Sequence, residues 1–382
     1  MNVRVFMEGP QDKTGGVSNH MRYLKKEMTG MPGLQLITYD SSLSRSGENI
    51  DAIIHKMYGR FIGFPIQLVK RRKEYDIVHT QSSGGMPGFI TAMVASVFTR
   101  ILGKEQIFTF HYSQTEQFVS SHHRMMKLVL DSSSACILVS NRQKEAFGQA
   151  FGSTALGKIH VISNGFNPQA IFPLDREESR AKLGITAPGK LLVNIANLER
   201  YKAHRHLIEA MRILCQKRDD VHLCIVGHGS QEQAIRDQIE NSGLSDKISL
   251  IVDYQTAEGI CLWHNSADIF VLSSCHEGNP TVMFECLACG IPFVGTKVGG
   301  VPQIVSSDRY GLLCERGDPA ALAEELQKAL EREWDRSAIS TYAADFHWRR
   351  IAEETVKVYQ GVLEATEVDR PKAAGNPQPA ES

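Results

Sequence analysis

Two carboxylates with the spacing Glu277-x7-Glu285 sit in the stretch of this 382-residue chain that could most readily do chemistry. The stretch reads Ser273-Ser-Cys-His-Glu-Gly-Asn-Pro-Thr-Val-Met-Phe-Glu-Cys-Leu-Ala-Cys-Gly-Ile-Pro292, and it follows an apolar run, Ile269–Leu272, that reads as a strand. Asn279 suits a helix N-cap and Pro280 the first helical position, while Gly290 and Pro292 stop the helix. The pattern is therefore a strand, a polar loop and a short helix whose N-terminus opens at the strand's carboxyl end. Free backbone N–H groups and the helix dipole favour a phosphate there. A carboxylate beside a phosphate is repelled, so the natural partners of Glu277 and Glu285 are hydroxyl groups, which need strong acceptors. A sugar joined to a nucleoside diphosphate supplies hydroxyls at both ends and phosphates between them. The bland alternative leaves Glu277 as a cap and Glu285 as a solvated helix residue.

The elements that must position these residues are legible as short Val- and Ile-rich runs alternating with amphipathic stretches, the mark of βαβ units and parallel sheets. Strands are expected at Val3–Met7, Ile77–Thr80, Ile107–Phe110, Cys136–Ser140 and His160–Ile162 in the first half. In the second half they are expected at Leu191–Ile195, Leu223–Val226, Ser249–Val252, Ile269–Leu272, Pro292–Gly295 and Gly311–Leu313. Val17, Met21, Leu24 and Met28 share one helical face. The run Phe89 to Thr99 is too short to span a bilayer and reads as a buried helix. Between the two sets of strands, Ser163-Asn-Gly-Phe-Asn-Pro168 marks a turn or linker, which puts a domain boundary near residue 165. Two α/β domains would then face each other across a cleft, the default ligand site at strand carboxyl ends. Residues 369–382, with three prolines and no apolar period, read as a disordered tail.

Composition limits the classes of function. The chain is 42% hydrophobic and 22% charged with a formal net charge of −1, so no basic excess points to nucleic acid. The start, Met1-Asn-Val-Arg-Val-Phe, enters a strand pattern directly instead of a leader. Most of the eight cysteines sit within apolar patterns as small hydrophobes, which suits a reduced, cytoplasmic setting. Cys286-x-x-Cys289 has no second pair at zinc-ligand spacing.

Glu277-x7-Glu285 with Gly278 and Pro280 inside it, followed by Ala288-Cys-Gly-Ile-Pro292 and Gly299-Gly-Val-Pro302, resembles the donor-site signature of retaining glycosyltransferases of family four. The resemblance runs from residue 1 to about 365. Gly15-Gly-Val-Ser-Asn-His20 is similar to the family's glycine loop, Tyr75-Asp-Ile-Val-His79 and Phe108-Thr-Phe-His111 to two strand ends of its acceptor domain, and Ile162-Ser-Asn-Gly165 with Phe172-Pro173 to its interdomain segment. Phe346-His-Trp348 and Ile351–Leu363 resemble the last helix, which crosses back to the first domain.

The resemblance implies a GT-B fold, two Rossmann-like α/β domains facing a central cleft. Residues 1–165 with a crossing helix at about 350–365 would form the acceptor domain, and 166–349 the nucleotide-sugar domain. It further implies that Glu277 holds hydroxyls of the donor sugar and Glu285 those of the ribose. Gly278, Thr281 and Val282 would offer N–H groups to sugar and phosphate, Gly15 and Gly16 would lie near the phosphates, and His111 beside the reacting sugar. The diphosphate leaving group needs positive charge. The chain has no Asp-x-Asp metal pattern, so no metal or cofactor is expected and the charge falls to Ala196-Asn-Leu-Glu-Arg-Tyr-Lys202. Lys202 matches the family there, but Asn197 stands where an Arg is usual; either Arg200 replaces it or Asn197 offers a hydrogen bond alone. Ala203 replaces a common Gly, and Gln303 a common Glu. Base recognition would fall near Gly227-His-Gly229 and Asp253-Tyr-Gln255, and the first of these lacks the third glycine of a dinucleotide fingerprint.

The expected partners are a UDP- or GDP-sugar and a carbohydrate or lipid-linked acceptor. Met57–Lys73, apolar and then basic, and His122–Lys127 are candidate contacts with an anionic membrane surface, so the location expected is cytoplasmic, with peripheral membrane contact. An ordinary amphipathic helix with a solvated basic end is the competing reading of both. Two other functions fit the same residues: a nucleotide-sugar epimerase, and a sugar-nucleotide binding protein without turnover.

Overall fold

The computed structural model describes residues 2–10, 16–41, 57–82, 86–187, 189–253 and 255–369; Gly15, Tyr254 and residues 370–382 of the expected tail lie outside the described residues. Among the described residues the strands are β1 (Val3–Glu8), β2 (Leu34–Tyr39), β3 (Ile77–Ser82), β4 (Glu105–Phe110), β5 (Ala135–Leu138), β6 (Ile159–Val161), β7 (Lys190–Ile195), β8 (Val221–Val226), β9 (Ile248–Ile251), β10 (Ile269–Leu272), β11 (Phe293–Thr296) and β12 (Gly311–Cys314). They form two six-stranded sheets, in the orders β2-β1-β3-β4-β5-β6 and β12-β11-β10-β7-β8-β9. Every pairing is parallel. Helices cover both faces, which is why the central strands β3 and β7 are buried along nearly their whole length rather than on alternate residues.

Each sheet reverses its strand order once, at β1/β3 and at β7/β10. In an open parallel sheet the crevice outside such a switch point is where ligands bind, because the loops diverge there. The two-domain α/β architecture expected from the sequence is thus present, and the stretches carrying Lys202 and Glu277 leave the two strands that flank the second switch point.

The last helix, Trp348–Asp369, belongs to the core of the first sheet although it follows the second in sequence. Trp348, Ile351, Ala352 and Tyr359 are buried with Val3, Val5 and the Gly16–Met28 helix. Phe166 and His347 pair as a parallel bridge beside it.

Three expectations need correction. The edge strand β2 has no counterpart in the sequence reading, because Leu34-Gln-Leu-Ile-Thr-Tyr39 pairs on one side alone and is only half-buried. The helix read as buried, within Met86–Leu102, buries Phe89, Ala92 and Ala95 but leaves Val97 53% and Ile101 71% exposed. Asn279 does not cap the next helix. That helix spans Thr281–Ala288, with Pro280 at the N-cap and no side-chain cap bond. No described helix is long and apolar enough to cross a membrane.

Candidate functional site

The loop after β7 holds Lys202 by backbone pairing with the loop after β10. Cys275 N–H donates to the Tyr201 carbonyl at 2.8 Å, and the Ser273 hydroxyl donates to the Lys202 carbonyl at 3.0 Å. Beneath them, buried Asn194 on β7 donates to the Val271 carbonyl on β10 at 2.7 Å, fixing the two strands at the switch point. The result is an ion pair across the crevice: Lys202 Nζ lies 2.6 Å from Glu277 Oε1, with side chains only 12% and 8% exposed. The Ser274 hydroxyl donates to the same oxygen at 2.6 Å. Both bonds fall on Oε1, and among the described residues nothing bonds Oε2. A carboxylate so fixed, with one oxygen left over, is arranged to accept from a ligand hydroxyl.

Gly299 holds the Glu277 loop from behind. Its φ is +53°, and a Cβ there would lie 2.1 Å from the Glu277 carbonyl oxygen. A side chain at this position would push Glu277 out of place, which gives the glycines of Gly299-Gly-Val-Pro302 a mechanical reason.

Asn279 ties the two halves together instead of capping. Its amide donates to the Val139 carbonyl at 2.8 Å, and its own carbonyl accepts from the Asn164 amide at 2.6 Å. Gly278 faces the first half so closely that a Cβ would stand 3.1 Å from the His111 carbonyl oxygen. Gln303 Oε1 accepts from Asn141 N–H at 2.8 Å, a role open equally to the Glu common in the family.

On the first-sheet side the cleft is lined by imidazoles. His111 Nε2 lies 2.8 Å from Gln81 Oε1, an oxygen that can only accept. Gln81 Nε2 reaches His79 Nε2 at 3.2 Å, and His79 Nδ1 meets the Tyr359 hydroxyl at 2.6 Å. The His20 ring stands edge-on to His111 with centroids 4.6 Å apart, and its Nδ1 lies 2.9 Å from Asn164 Oδ1. Burial lowers all three histidines: His20 to about 4 despite its bond to Asn164, and His79 to about 3, helped by His20. His111 falls well below its ordinary value through burial first and then its two histidine neighbours. All three are neutral at physiological pH. With Gln81 Oε1 as its acceptor, His111 carries its hydrogen on Nε2 and keeps the Nδ1 lone pair.

The remaining predicted residues are spread more widely. Glu285, 13% exposed, lies 3.6 Å from the buried His264 ring, too far for a hydrogen bond, and no contact joins it to Glu277. Thr281 and Val282 are half-buried in the first turn of their helix, where backbone N–H groups have no intrahelical acceptor. Asn197 and Arg200 are exposed, and neither makes a side-chain hydrogen bond among the described residues. Gly16 begins the Gly16–Met28 helix facing open space. Gln255 is occupied by the Trp263 indole at 3.1 Å. No group of three or more metal-ligating side chains assembles among the described residues.

Sequence reasoning passed over His20, Gln81, Asn164 and Ser274. A signal existed for Gln81: residues 79 and 81 share one face of β3 by the two-residue period of a strand. Asn164 was hidden inside a turn motif. Another residue, Glu8 at the end of β1, is buried and pushed up to about 7 by that burial, against the Ser41 hydroxyl and Arg60. A cavity of about 550 Å³ between Gly189, Asp220, His222, Lys247 and Trp263 lies at the amino ends of β7 to β9, opposite the switch point. It lies at the end of the sheet opposite the one where open parallel sheets bind ligands.

A two-sheet α/β protein with paired switch points and a polar pair on the second has the architecture of GT-B glycosyltransferases. The family model "Glycosyltransferase Family 4" matches residues 14–170 and "Glycosyl transferases group 1" matches residues 175–346. The chain belongs to the group 1 glycosyltransferases. Among curated relatives, it is 28% identical over 246 residues to D-inositol 3-phosphate glycosyltransferase of Paenarthrobacter aurescens (strain TC1), covering 62% of this chain and 60% of that one. It is 25% identical over 211 residues to N-acetyl-alpha-D-glucosaminyl L-malate synthase of Bacillus anthracis, covering 54% of each. The chain thus spans between half and two thirds of these two relatives. Among solved structures, sucrose-phosphate synthase of Thermosynechococcus elongatus superposes with a TM-score of 0.76 at 18% identity, over 95% of this chain and 100% of that one. Anabaena HepE, solved in complex with UDP-glucose, gives 0.69 at 20% identity over 95% and 99%. These two likenesses show the fold.

Proposed function

We propose that this chain is a retaining, metal-independent glycosyltransferase that moves a hexose from a UDP- or GDP-sugar to a carbohydrate or lipid-linked acceptor. The observation that carries the reading is the buried Lys202–Glu277 pair at the β7/β10 switch point. Support also comes from the relatives, one named for transfer to inositol phosphate and one solved with UDP-glucose.

In this reading Glu277 accepts from hydroxyls of the donor hexose through its unoccupied oxygen, and Glu285 takes the ribose hydroxyls. Gly278, Thr281 and Val282 offer backbone N–H groups, and Gly15 and Gly16 lie near the phosphates. Lys202 has three N–H donors, so it can keep Glu277 and still reach the diphosphate as the glycosidic bond breaks. Arg200, exposed beside it, supplies the second cation, while Asn197 offers a hydrogen bond alone. The acceptor hydroxyl attacks the anomeric carbon from the face the diphosphate leaves. The C–O bond to the acceptor forms, the C–O bond to the diphosphate breaks, and the departing diphosphate takes the hydroxyl proton. Neutral His111 contributes a hydrogen-bonding group beside that centre without adding charge.

A thermal-shift panel of UDP-, GDP- and ADP-sugars tests the donor. A true donor at a hundred times its Kd stabilises the fold by about 2.7 kcal/mol. No shift with any of the three rejects the donor assignment, and conversion of the donor alone, without acceptor, would make the enzyme an epimerase.

A further inference from the structure

The exposed large apolar side chains among the described residues gather on one layer of the first domain. Phe61, Ile62, Ile66 and Val69 lie on the helical segment formed by Gly59–Gly63 and Phe64–Lys70, and Ile66 is 52% exposed. Val97 and Ile101 lie on the Met86–Leu102 helix, and Leu128 on the His123–Ser132 helix. Met57 and Tyr58 immediately precede the first of these segments, while Phe172, Leu174, Tyr201 and Val368 belong to other parts of the chain.

The topology puts these helices on one side of the sheet. The steps β2→β3, β3→β4 and β4→β5 all move in the same direction across the order β2-β1-β3-β4-β5-β6, whereas β1→β2 moves the opposite way. Right-handed crossovers then place the three helices in one layer and the Gly16–Met28 helix in the other. The cores agree: Phe64, Leu68 and Ala95 pack together, as do Phe89, Ala92, Met126 and Val129, while Met21 and Leu24 join the Trp348 cluster instead. Outward faces of neighbouring helices in one layer form one surface.

We infer that this surface is a docking face for an anionic lipid membrane. Charge selects the occupant. The apolar stripe ends in Lys70-Arg-Arg-Lys73, where Arg71 is paired with Glu74, and Arg100, Arg124 and Lys127, the last paired with Asp131, lie on the neighbouring helices. An isologous contact centred on this stripe would gather the cations of two copies into one interface, an unfavourable sum of like charge. An acidic lipid surface satisfies both the stripe and the cations. The direction of the first helix gives the docking a consequence. Its start lies at the carboxyl end of the sheet, where the Gly59 carbonyl accepts from the Tyr39 hydroxyl at 3.4 Å. Its end lies at the amino end, where the Lys73 carbonyl accepts from Arg4 at 2.9 Å. Phe61 and Ile62 therefore sit near the cleft mouth, so a membrane seated here lies within reach of the acceptor side. The inference rests on the proposed function for the lipid-linked acceptor alone; the face itself stands on topology, exposure and charge.

Flotation of the full chain with phosphatidylcholine vesicles, with and without phosphatidylglycerol, tests it. The chain should float with anionic vesicles and be released by raised salt. Ile66→Asp combined with Ile101→Asp should weaken binding by about tenfold or more, since two apolar anchors are lost. Both sites are exposed, and unchanged thermal shifts with UDP-glucose or GDP-mannose would show that the donor side is intact. Absence of binding to anionic vesicles, or binding unaffected by the double substitution, overturns the proposal. A concentration-dependent dimer that disappears in the variant overturns it in favour of self-association. A chain that floats as expected but turns over no donor removes the proposed function and leaves the docking face standing.

Discussion

The two walls of the cleft solve opposite electrostatic problems. The second-sheet wall buries an ion pair, Lys202 and Glu277, in direct contact at 2.6 Å. The first-sheet wall buries His20 and His79, half-buries His111 and keeps all three neutral, because among the described residues no carboxylate is close enough to repay the loss of water. The comparison assigns the labour of the proposed reaction: charge for the departing diphosphate comes from the second wall, and the first supplies uncharged hydrogen-bonding groups beside the sugar.

The sharpest way to break this comparison is to remove the cation. Lys202→Met keeps most of the stem and leaves Glu277 buried with Ser274 as its one remaining partner. Loss of a preorganised group facing the leaving charge should lower kcat by about 10²–10³-fold. An unpaired buried carboxylate should also cost roughly 3 kcal/mol of stability, measurable by urea denaturation. Lys202→Met with wild-type kcat would remove the charged wall from the mechanism. Glu277→Gln should lower kcat less if Lys202 is the group that meets the diphosphate.

The neutral wall is tested by pH. In the unfolded chain a histidine titrates near 6.5; in the fold His20 and His79 titrate near 4 and 3. The fold therefore disfavours the proton, so their contribution is complete above pH 6.5 and is lost as pH falls below it. Each should cost about 2 kcal/mol by pH 5. Glu8 acts in the opposite sense: raised from 4.5 to about 7, it costs stability as pH rises through that window. Glu8→Gln should thus stabilise the protein at pH 8 and leave it unchanged at pH 4. In the Glu8→Gln background, which removes that opposing contribution, equal urea midpoints at pH 7 and pH 5 would show that the imidazoles are not held neutral.

Glu285 probes how far the charged wall extends. If it reads ribose hydroxyls, Glu285→Gln removes charge from those bonds and should raise KM for the donor about tenfold at unchanged kcat. A fall in kcat without change in KM would place Glu285 with the reacting sugar instead.

The two walls were unequally legible in the sequence. The second wall is local: strand, loop and helix follow one another from Ile269 to Ala288, so the spacing of Glu277 and Glu285 and the glycines behind them could be read directly. Lys202 was reached through the resemblance of the Ala196–Lys202 loop to its family counterpart. The first wall is assembled from residues far apart, with His79 meeting Tyr359 from the last helix and His20 meeting Asn164. No short-range pattern announces such pairs. Asn279 shows the reverse failure: its type and position fit a cap, but tertiary contacts with Val139 and Asn164 took its amide and carbonyl. The Met86–Leu102 helix shows a third kind. Apolar composition implied burial, and one side of the helix is nevertheless exposed at Val97 and Ile101.

The smallest predicted effect concerns what holds the charged wall in place. Ala203, next to Lys202, has φ +54° and ψ +39°, the left-handed region that penalises a Cβ, and it is the one non-glycine residue there among the described residues. Its methyl is buried and its carbonyl lies 3.4 Å from the Ser273 hydroxyl, so the surrounding contacts impose the conformation. Ala203→Gly relieves about 1 kcal/mol of strain in the fold. The added freedom of the unfolded chain returns about 0.4–1 kcal/mol of that, so the net gain should be a few tenths of a kcal/mol. The useful readout is therefore the donor KM beside the urea midpoint. If the strain only records a missing glycine, Ala203→Gly leaves KM unchanged. If the methyl helps fix the turn that presents Lys202, KM rises although stability does not fall, and the rigidity of the charged wall is itself part of donor binding.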